Sequence, residues 1–113
     1  MPSDAPGALR DMEHHIALAV QFVAGLDYEA FRNDTRTVFA VTRCLEIISE
    51  ASRRLPAEMK TRYPAIAWKN MAAAGNIYRH DYEGIAAKLV SDTVQLALPP
   101  LQDVVAREIA ALG

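Results

Sequence analysis

Helical periodicity is the feature that most constrains the fold of this 113-residue chain. Apolar residues recur at helical spacing, and we find no convincing alternation of apolar and polar residues and no Asn-Gly or Asp-Gly hairpin signal. The pattern predicts an all-α fold, an antiparallel helical bundle of about four to five helices joined by short loops. The helices are expected at about residues 8–23, 35–55, 68–82, 85–98 and 99–111.

Turn-forming and capping residues mark the expected helix ends. Gly25 is a C-cap candidate after the first helix, and Asp34 or Thr35 can cap the second. Pro56 stops that helix or starts a short new one, because proline cannot continue it. Gly84 is a plausible stop for the helix over 68–82. Pro99-Pro100 is expected to break the fourth segment and to start the last helix.

Length and composition limit the class of protein. The chain is short enough for a single domain over 1–113, with residues 1–6 expected as a disordered leader. A net charge of −2 argues against a broad basic face for nucleic acid, so that any RNA contact must come from a local patch. The single cysteine, Cys44, is expected in the core; it excludes an intrachain disulfide and fits a reducing, cytoplasmic location. No apolar run approaches the length of a membrane span.

Charged residues concentrate in the middle of the chain and allow two interpretations. The basic cluster is either an RNA-facing patch or an ordinary solvated face. Glu46 and Glu50 are expected to be ion-pair partners of nearby arginines rather than a catalytic carboxylate pair. The basic cluster consists of Arg53, Arg54, Lys60, Arg62 and Lys69.

The densest group of chemically active residues is the segment Gly75-Asn76-Ile77-Tyr78-Arg79-His80-Asp81-Tyr82. His80 has the side chain best suited to carry a proton at neutral pH. Arg79 offers a fork of donors that suits a phosphate. Asn76 lies four residues before His80, so the two share a helix face. The simpler alternative is a solvated helix end with one capping histidine.

No cofactor is expected at this segment. One histidine, nearby acids and no cysteine pair match no common zinc spacing, and the chain has no Walker-type phosphate loop. Ser49 has no triad partner visible in the sequence. The small residues at 72–75 leave a narrow helix surface, which indicates a tight crossing within the chain, the seam of a homodimer, or both.

Several segments, in their order and spacing, resemble one known family over about residues 11–105. That family is the HepT-like branch of the HEPN superfamily, the toxin half of HepT/MntA toxin–antitoxin pairs. One element, Ser49-Glu50-Ala51, corresponds to a Gly-Glu-Ala element of the family. The others are Asp27-Tyr28-Glu29-Ala30-Phe31, Tyr63-Pro64-Ala65-Ile66-Ala67-Trp68, Gly75-Asn76 with His80-Asp81-Tyr82, and Leu98-Pro99-Pro100-Leu101.

The resemblance implies a small, metal-independent, all-α ribonuclease that is usually dimeric, with two motifs meeting at a cleft between protomers. The family motif, Arg-x4-His-x-Tyr with Asn after the Arg, maps onto Asn76, His80 and Tyr82. It implies that His80 is the acid/base in RNA cleavage. It also implies that an MntA-like nucleotidyltransferase antitoxin inactivates the toxin by adding AMP to Tyr82.

The position of the family arginine is occupied by Gly75, which is a departure from the motif. Arg79 lies one turn later on the same helix face, and its side chain could cover the space above Gly75 and act as the phosphate stabiliser. We favour this relocation because a mid-helix glycine costs about 1 kcal/mol without another evident reason. The alternative is a catalytically degenerate module that binds a nucleotide or the transferase.

Overall fold

The computed structural model describes residues 4–80 and 84–112, without the side chains of residues 76–80 and 84–86. These residues form seven α-helices, two of them only five residues long, and no strand, which confirms the all-α class. The helices are α1 (Ala5–Val23), α2 (Tyr28–Arg32), α3 (Thr35–Arg53), α4 (Ala57–Thr61), α5 (Trp68–His80), α6 (Gly84–Asp92) and α7 (Leu98–Ala111). A π-helical turn, Thr93–Ala97, joins α6 to α7.

The first helix begins earlier than the sequence predicted. Ala5 and Pro6 are its first residues, and Ala5 is only 8% exposed, so their assignment to a disordered leader was wrong. A proline is tolerated there because the first turn of a helix needs no backbone donor. Val20 lies outside the buried face of α1 and is 43% exposed. The buried face of α1 consists of Ala5, Ala8, Leu9, Met12, Ile16 and Ala19.

The predicted caps are mostly confirmed. Gly25 has φ +79°, the left-handed conformation that glycine adopts after a helix. The Asp34 side chain caps α3 by accepting from the backbone N–H of Thr37 at 3.2 Å, and hydrogen bonds from Thr37 lower the pKa of its carboxyl. Pro56 occupies the N-cap position of α4. Gly84, however, begins α6 and is not a stop, a placement that fits the tolerance of glycine at helix starts.

The central element is α3, which packs against α1 on one side and α5 on the other, while α7 packs on α1. Cys44 is a core residue, as predicted, and its burial raises the pKa of the thiol. The buried part of α3 consists of Val41, Cys44, Leu45, Ile48, Ser49, Ala51 and Ser52. Because α3 contacts both neighbours, its side chains set the position of α5, which contains most of the motif.

Pro99 and Pro100 lie in the first turn of α7, as predicted, but they do not break the chain into separate segments. The π-helical turn leads directly from α6 into α7. Two consecutive prolines offer no N–H to the carbonyls one turn earlier, and those carbonyls belong to the widened turn. The predicted end of the fourth helix at residue 98 is therefore replaced by this turn.

Candidate functional site

Helix α5 contains three of the predicted site residues: Asn76, Arg79 and His80. Their side chains and the whole of Tyr82 lie outside the described residues, so the roles assigned to them stay predictions. The helical backbone places positions 76 and 80 one turn apart. It places position 79 one turn after Gly75, on a different side of the helix from position 80.

One face of α5 is uncovered in the first half of the helix. With 3.6 residues per turn, positions 69, 73, 76 and 80 fall within a narrow arc of the helix surface. Lys69 and Ala73, the two members of this arc whose side chains are described, are both exposed. The first half of this face is thus open to a ligand in this chain.

Another face of α5 packs closely on α3 at Gly75. Ser49 of α3, only 2% exposed, donates its hydroxyl to the carbonyl of Ala72 at 3.2 Å. The backbone N–H of Gly75 donates to the Ser49 Oγ at 3.2 Å. A Cβ added at position 75 would lie 3.1 Å from that Oγ and 3.5 Å from the Ser49 Cβ. Glycine therefore lets the two helices approach and lets Ser49 bridge their backbones.

This contact corrects one step of the sequence argument. The presence of glycine at position 75 was explained only by the room it leaves for Arg79. The packing against Ser49 is a second explanation. The same contact confirms that the small residues at 72–75 mark a tight crossing within the chain. Ser49, noted only as a serine without triad partners, proves to be the residue that joins the two helices.

Arg53 is the second residue of α3 that reaches α5. Its Nη1 donates to the carbonyl of Ala72 at 2.8 Å, while the side chain stays exposed. Arg53 lies one turn after Ser49, so both face the same neighbouring helix. From the sequence, Arg53 was recognised only as one member of the basic cluster. Its four-residue spacing from Ser49 was the sequence signal that could have predicted its contact with α5.

Two other arginines of the basic cluster are neutralised by acids. Arg54 is held by Asp11 at 2.6 Å, by Asp4, and by Glu50 at 3.3 Å. The hydrogen bonds that the guanidinium donates to Asp11 and Asp4 raise its pKa still further above its ordinary value. Arg62 contacts Glu108 at 2.6 Å.

The basic cluster thus contains two kinds of residue, those paired with acids and those that are not. Arg54 and Arg62 add no net positive charge to an RNA-facing patch, while Arg53 and Lys69 are the exposed members without a carboxylate within 4.0 Å in the described parts of the chain. The ion pair between Glu50 and Arg54 was predicted and is confirmed. Glu46 likewise lies 3.9 Å from Arg43.

A buried carboxylate fixes the segment that precedes α5. Glu108 of α7 accepts from the Tyr63 hydroxyl and from Arg62, each at 2.6 Å. The Tyr63 hydrogen bond lowers the pKa of Glu108, and the same bond raises the pKa of Tyr63. Trp68 then donates from its indole N–H to the carbonyls of Lys60 and Tyr63, each at 3.1 Å. The start of α5 is thereby tied to α4 and α7.

The described residues contain no group of three His, Cys, Asp or Glu side chains that could hold a metal ion. Among those residues no helix is long and apolar enough to cross a membrane. Metal independence and cytoplasmic location stay predictions.

Comparisons with known proteins agree on one family. The family described as Ribonuclease HepT-like matches residues 12–108. The "Probable ribonuclease HepT" of Thermococcus cleftensis is 36% identical over 94 residues, which cover 83% of this chain and 86% of that protein. A "Putative RNase" of Methanocaldococcus jannaschii is 30% identical over 99 residues, covering 88% and 85%, respectively. Another from the same organism is 32% identical over 99 residues, covering 88% and 91%. The search of solved structures gave no significant match.

Proposed function

The chain belongs to the HepT-like ribonuclease family, and we propose that it is the toxin of a type VII toxin–antitoxin system that cleaves RNA without a metal ion. The 2′-hydroxyl of a ribose attacks the adjacent phosphorus, and the P–O5′ bond breaks. A proton leaves the 2′-oxygen and another reaches the departing 5′-oxygen. The products are a 2′,3′-cyclic phosphate and a 5′-hydroxyl.

The proposed roles follow from the chemistry of three side chains on α5. His80 transfers the protons, because imidazole titrates near neutral pH. Arg79 stabilises the charge that develops on the phosphate, and Asn76 orients the imidazole or a phosphate oxygen. The observation that best supports this site is the exposure of Lys69 and Ala73 on the arc that includes positions 76 and 80. RNA can approach that part of α5 without displacing another helix.

The proposed active form is a symmetric homodimer, in which two motifs share one cleft. Support comes from a groove of about 610 Å³ beside α5, lined largely by apolar residues of α3, α5 and the turn before α7. Leu96 borders this groove and is 74% exposed. Covering such a surface with a second copy would remove apolar area from water. Light scattering that shows a monomer at high concentration would remove the shared-cleft arrangement.

The direct test of cleavage uses purified protein and labelled RNA in EDTA. The wild type should cleave, and His80→Ala should not. His14→Ala is a matched control, since His14 is an exposed histidine on α1, away from α5 in the sequence. Equal cleavage by the wild type and His80→Ala, or no cleavage by either, would refute the enzymatic proposal.

Regulation is proposed to act through Tyr82. An MntA-like nucleotidyltransferase would transfer AMP from ATP to the tyrosine hydroxyl and release pyrophosphate. The added phosphate would lie two residues from His80 and repel an incoming RNA phosphate. Intact-mass analysis after incubation with the transferase and ATP should show AMP on the wild type and on Tyr28→Phe. Tyr82→Phe should show none; an equal mass gain in Tyr82→Phe excludes this residue as the modified site.

The second candidate function is a non-catalytic module that binds a nucleotide or the transferase. It is favoured by the buried contact of Gly75 with Ser49, since this packing accounts for glycine without any relocation of the arginine to position 79. The two functions differ in one observable: the module binds nucleotide or partner but leaves RNA intact. A neighbouring reading frame with a Gly-Ser-x10-Asp-x-Asp pattern would favour a toxin–antitoxin pair.

A further inference from the structure

Arg53 is held against the described part of the motif helix by a hydrogen bond to its backbone. Its Nη1 lies 2.8 Å from the carbonyl oxygen of Ala72, which also accepts from the Ser49 hydroxyl at 3.2 Å. A guanidinium has five N–H donors in a fixed plane, and this contact uses one of them. The side chain is exposed, so its remaining donors can reach solvent or a ligand.

The charge of Arg53 is not balanced by a carboxylate in the described parts of the chain. The neighbouring acid, Glu50, pairs with Arg54 at 3.3 Å. Arg54 and Arg62 are each occupied by acids, whereas among the described residues Arg53 bonds a neutral carbonyl. Lys69, one turn before Ala73 on α5, is a second exposed cation. A positive charge is thus fixed beside α5 in a protein whose net charge is −2.

The location of this charge along α5 decides what it can bind. Ala72 precedes position 76 by one turn and position 80 by eight residues, which is about 12 Å along the helix axis. With this spacing along the axis, we take the Arg53 guanidinium to contact a different phosphate from the one bound at position 80, the neighbouring phosphate of a chain that runs along α5.

We propose that Arg53 binds a backbone phosphate of single-stranded RNA next to the phosphate that is cleaved, and so positions the strand on α5. This inference rests on the proposed function, because it takes the strand to lie on the motif helix. Arg53 acts on binding, and the scissile phosphate is left to the residues of the motif. Its loss should therefore raise Kd and KM and leave kcat nearly unchanged.

Counterion release sets the size of the expected effect. A single-stranded nucleic acid contributes a slope of about −0.7 in log K against log salt for each phosphate neutralised. Removing one such contact should make the slope shallower by about 0.7 and weaken binding about fivefold at 0.1 M salt. The effect should be nearly independent of RNA sequence, because a phosphate contact reads no base.

The test measures binding of a 2′-O-methyl RNA, which lacks the attacking hydroxyl and cannot be cleaved. Arg53→Gln keeps a donor for the Ala72 carbonyl but removes the charge, whereas Arg53→Lys keeps the charge. Arg43→Gln is the matched control, since Arg43 lies on the same helix, is 70% exposed and is 3.9 Å from Glu46. Binding is followed by fluorescence anisotropy over a range of salt concentrations, at temperatures where each variant is folded by circular dichroism.

We expect Arg53→Gln to bind about fivefold more weakly with the shallower salt slope, and Arg53→Lys and Arg43→Gln to stay within about twofold of the wild type. Equal binding by Arg53→Gln and Arg43→Gln would overturn the inference while leaving cleavage by the wild type untouched. If the wild type binds this RNA but does not cleave ordinary RNA, the proposed function fails, and the Arg53 comparison still decides the inference. A wild type that does not bind RNA overturns both.

Discussion

The close crossing of α3 and α5 predicts that Gly75→Ala stabilises the protein when Ser49 is removed but not when Ser49 is present. Alanine in place of glycine should stabilise a helix interior by about 1 kcal/mol. In this protein the new Cβ would lie 3.1 Å from the Ser49 Oγ, which is tighter than ordinary contact. Ser49 cannot easily yield, because it is 2% exposed and its hydroxyl bonds both Ala72 and Gly75.

The size of the stability change follows from two opposing effects, the gain in helix propensity and the disturbance of Ser49. Displacing the Ser49 hydroxyl weakens two hydrogen bonds at a buried site, where each contributes about 1 kcal/mol. Gly75→Ala in the wild-type background should therefore give no gain, or a loss of up to about 1 kcal/mol. In a Ser49→Gly background the contact is gone, and the same substitution should stabilise the protein by about 1 kcal/mol. The two sites should thus be coupled by at least about 1 kcal/mol.

The assay is urea unfolding of the four proteins of this cycle, followed by circular dichroism. Ala73→Gly is a control on the exposed face of α5, where glycine should cost the full helix propensity of about 1 kcal/mol. The same effect of Gly75→Ala in both backgrounds would refute the close approach of the two helices at this point.

Two further predictions concern the ion pairs that position α5 and α1. The folded-state pKa of Glu108 lies below its ordinary value of 4.5, so its contribution to stability is present above that pH and is lost as the pH falls through the folded value. Glu108→Gln should lower the melting temperature at pH 7, and this effect should shrink as the pH falls further below 4.5; an effect that does not change with pH would contradict the buried pairing with Tyr63. Arg54→Met should cost about 1 kcal/mol and speed hydrogen exchange in the first turns of α1, which Asp4 and Asp11 tie to α3. Unchanged exchange there, compared with Arg32→Met as a surface control, would contradict that role.

Most of the architecture could be predicted from the sequence because helices leave a local signal. Val41, Leu45 and Ile48 recur at helical spacing in the sequence, and all three are buried on α3. Asp34 and Gly25 were recognised because caps and left-handed turns favour few residue types. The start of α1 was missed because Pro6 resembles a breaker in a sequence, although the first helical turn tolerates it.

The contacts that position the candidate site could not be predicted in the same way, because they join residues far apart in the chain. Ser49 and Gly75 meet across two helices, and neither residue type indicates the other. Glu108 lies 45 residues after Tyr63, whose hydroxyl donates a hydrogen bond to it. Arg53 differs from Arg54 only in which side of α3 it faces: one reaches α5, and the other reaches the acids of α1. Such differences depend on how helices are packed, which periodicity alone does not determine.

The most direct test of the account is the chemical identity of the RNA ends formed in EDTA. The account predicts that the wild type and His14→Ala leave a 2′,3′-cyclic phosphate and a 5′-hydroxyl, and that His80→Ala forms neither. Cleavage that requires an added divalent cation, leaves a 5′-phosphate, or persists at the wild-type rate in His80→Ala would contradict it.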